Sequence, residues 1–75
     1  MKKKVEIFLD IENGKITVYT PNGIFTKKIN PDILFSELQR AKEEIKRKLR
    51  SRELKDKVER EFKKLEMALL LSQTG

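Results

Sequence analysis

The chain has 75 residues, 18 of them Lys or Arg and 12 Asp or Glu, for a net charge of +6. A chain this short makes one domain, residues 1–75, whose modest core calls for a disulfide, a metal or a partner subunit as extra support. With no Cys and no His, disulfides, zinc sites of the usual kind, thiol chemistry and imidazole general-base catalysis are excluded, which leaves a partner subunit.

The basic excess suits a polyanionic partner. The same Lys- and Glu-rich, Cys-free composition is also that of heat-adapted proteins, whatever they bind. Met1 to Val5 run straight into charged alternation without the apolar core of a secretory leader. Near the other end, the apolar run from Met67 to Leu71 is too short to span a bilayer, so a soluble cytoplasmic protein is expected, with no membrane association.

The expected fold is α+β, a three-stranded antiparallel β-meander over 1–29 followed by a helical region over 30–72. The first strand spans roughly 3–12, with Val5, Ile7, Leu9 and Ile11 on one face and Glu6, Phe8, Asp10 and Glu12 on the other. Asn13-Gly14 suits a two-residue type I′ turn, which pairs Ile11 with Ile16, Leu9 with Val18 and Ile7 with Thr20. A second strand covers 15–20 and a third 24–29. Between them Thr20-Pro21-Asn22-Gly23 allows two registers. A three-residue loop with a bulge at Gly23 pairs Tyr19 with Phe25 and Val18 with Thr26. A two-residue Asn22-Gly23 turn instead sets Phe25 opposite Thr20 and Lys27 opposite Val18. The bulged form is favoured because it keeps Lys27 away from Val18.

Asn30-Pro31-Asp32 reads as a helix opening: a capping Asn, a Pro where its missing N–H costs nothing, and an acid at the positive pole of the dipole. Leu34, Leu38, Ala41, Ile45 and Leu49 form one stripe, expected to pack on the aliphatic face of the sheet. Leu54, Val58, Phe62, Leu65 and Leu69 form another, displaced by about 140°. One straight helix cannot lay both on one sheet. Residues 46–52 hold five bases and no acid, as suits a helix C-terminus near Arg50, and Ser51 can cap a second helix. Two helices, about 31–50 and 52–71 with a break near 50–53, are favoured over one long rod.

Three surfaces are candidates for function. Lys46, Arg47, Lys48, Arg50 and Arg52 can neutralise phosphates of DNA or RNA, and five such contacts correspond to a slope of log affinity on log salt of about −4.5 on duplex DNA. On a continuous helix Lys46, Arg50, Lys57 and Lys64 extend them as a stripe. Phe8, Tyr19 and Phe25, on the face opposite the aliphatic stripe, can stack unpaired bases, although Glu6, Asp10 and Glu12 share that face. The C-terminal run Leu65, Met67, Ala68, Leu69, Leu70 and Leu71 surrounds its helix, more apolar area than one copy readily covers, and points to a homo-oligomer, a dimer first, with Leu54, Val58, Phe62, Leu65 and Leu69 as the interface.

Catalysis finds no footing in the sequence. Gly14-Lys15 lacks the other positions of a phosphate-binding loop, where Leu9 and Ile16 stand. Glu43 and Glu44 adjoin on a helix and face different directions, and Ser36, Ser51 and Ser72 have no imidazole partner. No metal ligand set, cofactor or small-molecule substrate is indicated. The expectation is a non-enzymatic binding protein for nucleic-acid phosphates, or, as the alternative, a protein-interaction module whose charges serve solubility and thermostability.

Overall fold

The structure, a computed structural model, describes residues 4–74, so Lys3 of the expected first strand lies outside the described residues. Strands β1 (Glu6–Asp10), β2 (Lys15–Thr20) and β3 (Gly23–Lys28) precede a 3-10 turn (Pro31–Ile33) and helices α1 (Leu34–Lys48) and α2 (Arg52–Thr74). The sheet is an antiparallel meander in the order β1-β2-β3. This is the expected α+β order, with two helices and not one rod.

Both hairpins differ from expectation in register, for different reasons and with different consequences. In the first, Leu9 lies opposite Ile16 and Ile7 opposite Val18, so residues 11–14 form a four-residue loop. A type I′ turn needs positive φ at both central residues, yet only Gly14 has it, at φ 61. The Asp10 carboxylate accepts instead from the Asn13 backbone N–H at 3.1 Å and side-chain N–H at 2.6 Å. Those bonds hold the carboxyl below its ordinary range, the side-chain bond being the larger cause. Inside the loop the Gly14 N–H reaches the Ile11 carbonyl at 3.2 Å. Because the slip is two residues, a full strand period, Ile7 and Leu9 keep the core face.

The second hairpin slips by one residue, and that exchanges faces. Thr20 pairs with Gly23, Val18 with Phe25 and Ile16 with Lys27, so Pro21 and Asn22 alone make the loop. Pro supplies the first central φ. The Thr20 hydroxyl accepts from the Asn22 N–H at 3.1 Å and donates to the Gly23 carbonyl at 2.9 Å. Gly23, at φ 144, takes up a backbone shape that few other residues adopt. Phe25 therefore packs against the core, which corrects its assignment to the Phe8–Tyr19 face. Lys27 does face the core side, but its ammonium pairs with Glu44 of α1 while the stem covers apolar surface.

Asn30 caps as expected, its side-chain oxygen accepting from the Asp32 N–H at 3.0 Å. The first turn is 3-10, and α1 starts only at Leu34 because Ile33 departs from helical φ/ψ. Leu49 is extended, at φ −93 and ψ 134, and breaks the helix. The Ser51 hydroxyl then accepts from the Leu54 N–H at 3.3 Å and opens α2. Ser51→Ala is expected to cost about 1 kcal/mol, the usual value of an N-cap oxygen, measured as a drop in the urea midpoint without change in m value.

The break turns both apolar stripes onto one core. Leu38, Ala41, Ile45 and Leu49 of the first and Leu54, Val58 and Phe62 of the second are buried, along with Ile16 and Val18 of β2. Glu44 meets Lys27 and Lys48 lies over Phe25, so α1 runs antiparallel to β3. Lys46 pairs with Glu59 at 3.1 Å and Gln39 bonds to Glu66, which sets α2 antiparallel to α1. Both helices lie on one side of the sheet, and on the other Phe8, Tyr19 and Ile24 are exposed among the described residues.

Candidate polyanion-binding corner

The α1–α2 corner begins with the last turn of α1, where Lys46, Arg47 and Lys48 meet the negative pole of the helix dipole. Arg50 stands in the link and Arg52 opens α2. Buried Leu49 pins the link to the core at 1% exposure, so its cationic neighbours point outward on a fixed support.

The five cations differ in availability. Lys46 is held by Glu59, whose carboxylate raises the Lys46 pKa chiefly by hydrogen bonding and is itself lowered by the same bond. Lys48 places its ammonium 5.9 Å from the centre of the Phe25 ring, the outer limit of a cation–π contact, while remaining exposed. Arg47, Arg50 and Arg52 are exposed and make no ion pair or side-chain hydrogen bond among the described residues. The longer stripe is divided by the break. Lys57 pairs with Glu53 at 3.8 Å, and Lys64 with Glu61 at 3.3 Å.

Charge elsewhere nearly cancels. Residues 46–52 hold five of the 18 basic residues and none of the 12 acids, leaving 13 bases against 12 acids on the rest of the chain. The segment thus carries five of the six net charges along the sequence, while in space Glu44 faces Lys48, Glu59 faces Lys46 and Glu53 follows Arg52.

Phe8 and Tyr19 lie together on the side of the sheet away from the helices, ring centres 5.4 Å apart and nearly perpendicular. They are diagonal neighbours, since Phe8 pairs with Thr17 and Tyr19 with Glu6. Neither helix covers them, and they are 57% and 42% exposed. The third apolar member of this face is Ile24, opposite Tyr19 and 65% exposed. Sequence reasoning missed Ile24 because its outward position follows from the Pro21-Asn22 loop.

Of the residues assigned to an oligomer interface, Leu54, Val58 and Phe62 are 3%, 0% and 0% exposed within the single chain. Those three are core, a correction that follows from the helical hairpin folding both stripes inward. Leu65 and Leu69 are partly buried against the same core. Of the apolar C-terminal run, Met67, Leu70 and Leu71 are exposed on α2.

Two shallow grooves, of about 360 and 340 Å³, flank α2 and are lined mainly by Lys, Arg and Glu. Among the described residues no group of three acids, Cys or His converges as a metal site, and no helix is long and apolar enough to cross a membrane. Fold and site together define a small β-β-β-α-α domain with one concentrated cationic corner. No protein-family model, curated protein or solved structure matches the chain.

Proposed function

We propose that this chain is a non-enzymatic binding protein that contacts nucleic-acid phosphates through Arg47, Lys48, Arg50 and Arg52. One observation carries the reading: five of the six net charges lie in a seven-residue segment at the α1–α2 corner, and its three guanidiniums have no partner among the described residues. Guanidinium groups suit phosphate because they donate paired N–H groups in a fixed plane. Lys46 is left out, since its ammonium is already committed to Glu59.

Four contacts correspond to a slope of log affinity on log salt of about −3.6 on duplex DNA and about −2.8 on a single strand. Filter binding over a salt series checks this. The triple variant Arg47→Ala, Arg50→Ala, Arg52→Ala is expected to keep the fold and flatten the duplex slope to about −0.9. Absence of binding at low salt by the wild-type protein removes the reading.

A second reading, a protein-interaction or assembly module, is supported by Met67, Leu70 and Leu71, which are 56%, 51% and 71% exposed on the last turns of α2. Under that reading the triple variant retains every interaction of the wild type.

A further inference from the structure

We propose that Asn22 is a site of spontaneous covalent modification, converting in the folded protein to aspartate and isoaspartate, while Asn13, in the same Asn-Gly sequence, is held back by Asp10. The chain has three Asn, at 13, 22 and 30. In Asn-Gly the missing Cβ of Gly lets its backbone nitrogen approach the carbonyl carbon of the preceding side chain. Asn30 precedes Pro31, whose nitrogen has no hydrogen to lose, so it is inert by this route.

The reaction consumes only water. Base in the solvent takes the Gly23 N–H proton, the nitrogen bonds to Asn22 Cγ, the Cγ–Nδ2 bond breaks, and Nδ2 leaves as ammonia with a proton from the solvent. A five-membered imide remains. Water opens it at either carbonyl: cleavage of the new N–Cγ bond gives aspartate, and cleavage of the Asn22 backbone C–N bond leaves the chain running through Cγ as isoaspartate. Nothing is oxidised or reduced. Either product replaces a neutral amide by a carboxylate and lowers the net charge of +6 by one.

Both Asn side chains are exposed, so access to solvent does not separate them; their bonding does. The Asn13 side-chain N–H donates to the Asp10 carboxylate at 2.6 Å, and its backbone N–H donates to the same group at 3.1 Å. The nucleophile is tied as well, since the Gly14 N–H donates to the Ile11 carbonyl at 3.2 Å and the Gly14 carbonyl accepts from Ile29 at 2.8 Å. Ring closure at Asn13 has to break bonds of this set, and it builds negative charge on nitrogen beside a carboxylate. The Asn22 side chain, by contrast, makes no hydrogen bond among the described residues, and its backbone N–H meets the Thr20 hydroxyl at 3.1 Å. Gly23 opposes Thr20 at the very end of the ladder, where local opening costs least. Space differs in the same sense: a Cβ on Gly14 would stand 2.8 Å from the Ile29 carbonyl, whereas nothing lies within 4 Å of one on Gly23. Nitrogen and Cγ can therefore be drawn together more readily at Asn22.

Trypsin separates the three sites, because Lys4, Lys15, Lys27, Lys28 and Arg40 bound peptides 5–15, 16–27 and 29–40 with one Asn each. The native protein is incubated in warm, mildly alkaline buffer, digested, and followed by mass spectrometry for conversion of amide to acid, with chromatography resolving aspartyl from isoaspartyl forms. Peptide 16–27 is expected to convert about tenfold faster than 5–15, the factor that one or two extra hydrogen bonds to be broken implies. Peptide 29–40 should stay unchanged. In concentrated guanidinium chloride the two Asn-Gly sites should convert at similar rates, which assigns the difference to the fold. Asp10→Ala, with its fold checked by circular dichroism, should speed conversion of Asn13 several-fold in the native protein and leave Asn22 as it was. The proposal is overturned by a native protein in which 5–15 converts as fast as 16–27. It is equally overturned if neither peptide converts over a time that converts the unfolded chain, or if Asp10→Ala folds and leaves the Asn13 rate unchanged.

Discussion

Phe62→Ala is expected to lower the free energy of unfolding by about 3–5 kcal/mol, the range for truncating a fully buried aromatic side chain. Phe62 is the largest of the fully buried side chains, at 0% exposure. A domain of this length holds a total of roughly 4–11 kcal/mol, so the variant should be largely unfolded at 37 °C and should melt at much lower urea than the wild type. The form of the loss matters as much as its size. A core residue acts within one chain, and the urea midpoints of wild type and variant should therefore differ by the same amount at ~5 μM and at ~100 μM protein. An interface residue acts through mass action, and its effect grows with concentration. A gap between midpoints that widens on concentrating the protein would return Phe62 to an intersubunit role and undo the placement of α2 over the sheet.

Phe62 also illustrates what periodicity can and cannot convey. The 3.6-residue pattern marks Val58 and Phe62 as one face of a helix, and the structure agrees. Whether that face meets its own sheet or another subunit depends on where the chain turns back, and here a single extended residue, Leu49, decides it. The Ser51 cap was legible because its mechanism is local: one hydroxyl, one N–H three residues on. Strand register depends on less. Ile7 and Leu9 were placed on the correct face despite a wrong loop, since an even slip conserves parity. Phe25 and Lys27 were placed on the wrong faces by an odd slip of one residue. A long Lys side chain can reach an acid on the next layer, and the identity of that acid, Glu44, depends on how α1 is offset along β3.

The same limit applies to the candidate site. Five cations without an acid among them are visible in the sequence, but their mutual availability is not. Lys46 is withdrawn by Glu59, thirteen positions away, through the offset between two antiparallel helices. The outward-facing Arg side chains follow from the break itself, which leaves Arg50 on an extended link and Arg52 on the first turn of α2. Lys46 is therefore left out of the proposed phosphate contacts, and the slope expected under that proposal is that of four groups.

Gly14→Ala is expected to cost about 2–3 kcal/mol, although Gly14 touches neither helix of the core. Two separate demands meet there. Its φ of 61 lies in the left-handed region, where an ordinary residue pays about 1–2 kcal/mol. In addition, a Cβ at this position stands 2.8 Å from the Ile29 carbonyl oxygen, closer than a carbon can sit. That oxygen cannot swing aside freely, because the Ile29 N–H donates to the Gly14 carbonyl at 2.8 Å and ties the end of β3 to the first hairpin loop. Asn separates the two demands. It tolerates left-handed backbone well, so at a position governed by φ alone Gly14→Asn would lie within a few tenths of a kcal/mol of the wild type. With the Ile29 contact in force, Asn should be destabilised by nearly as much as Ala. Gly23 supplies the comparison, at φ 144 with no atom within 4 Å of the added Cβ: there the cost is backbone strain alone, about 1–3 kcal/mol. Urea denaturation of Gly14→Ala, Gly14→Asn and Gly23→Ala decides the matter, and a Gly14→Asn midpoint matching the wild type would show that the Ile29 carbonyl yields and that loop and strand end are not coupled.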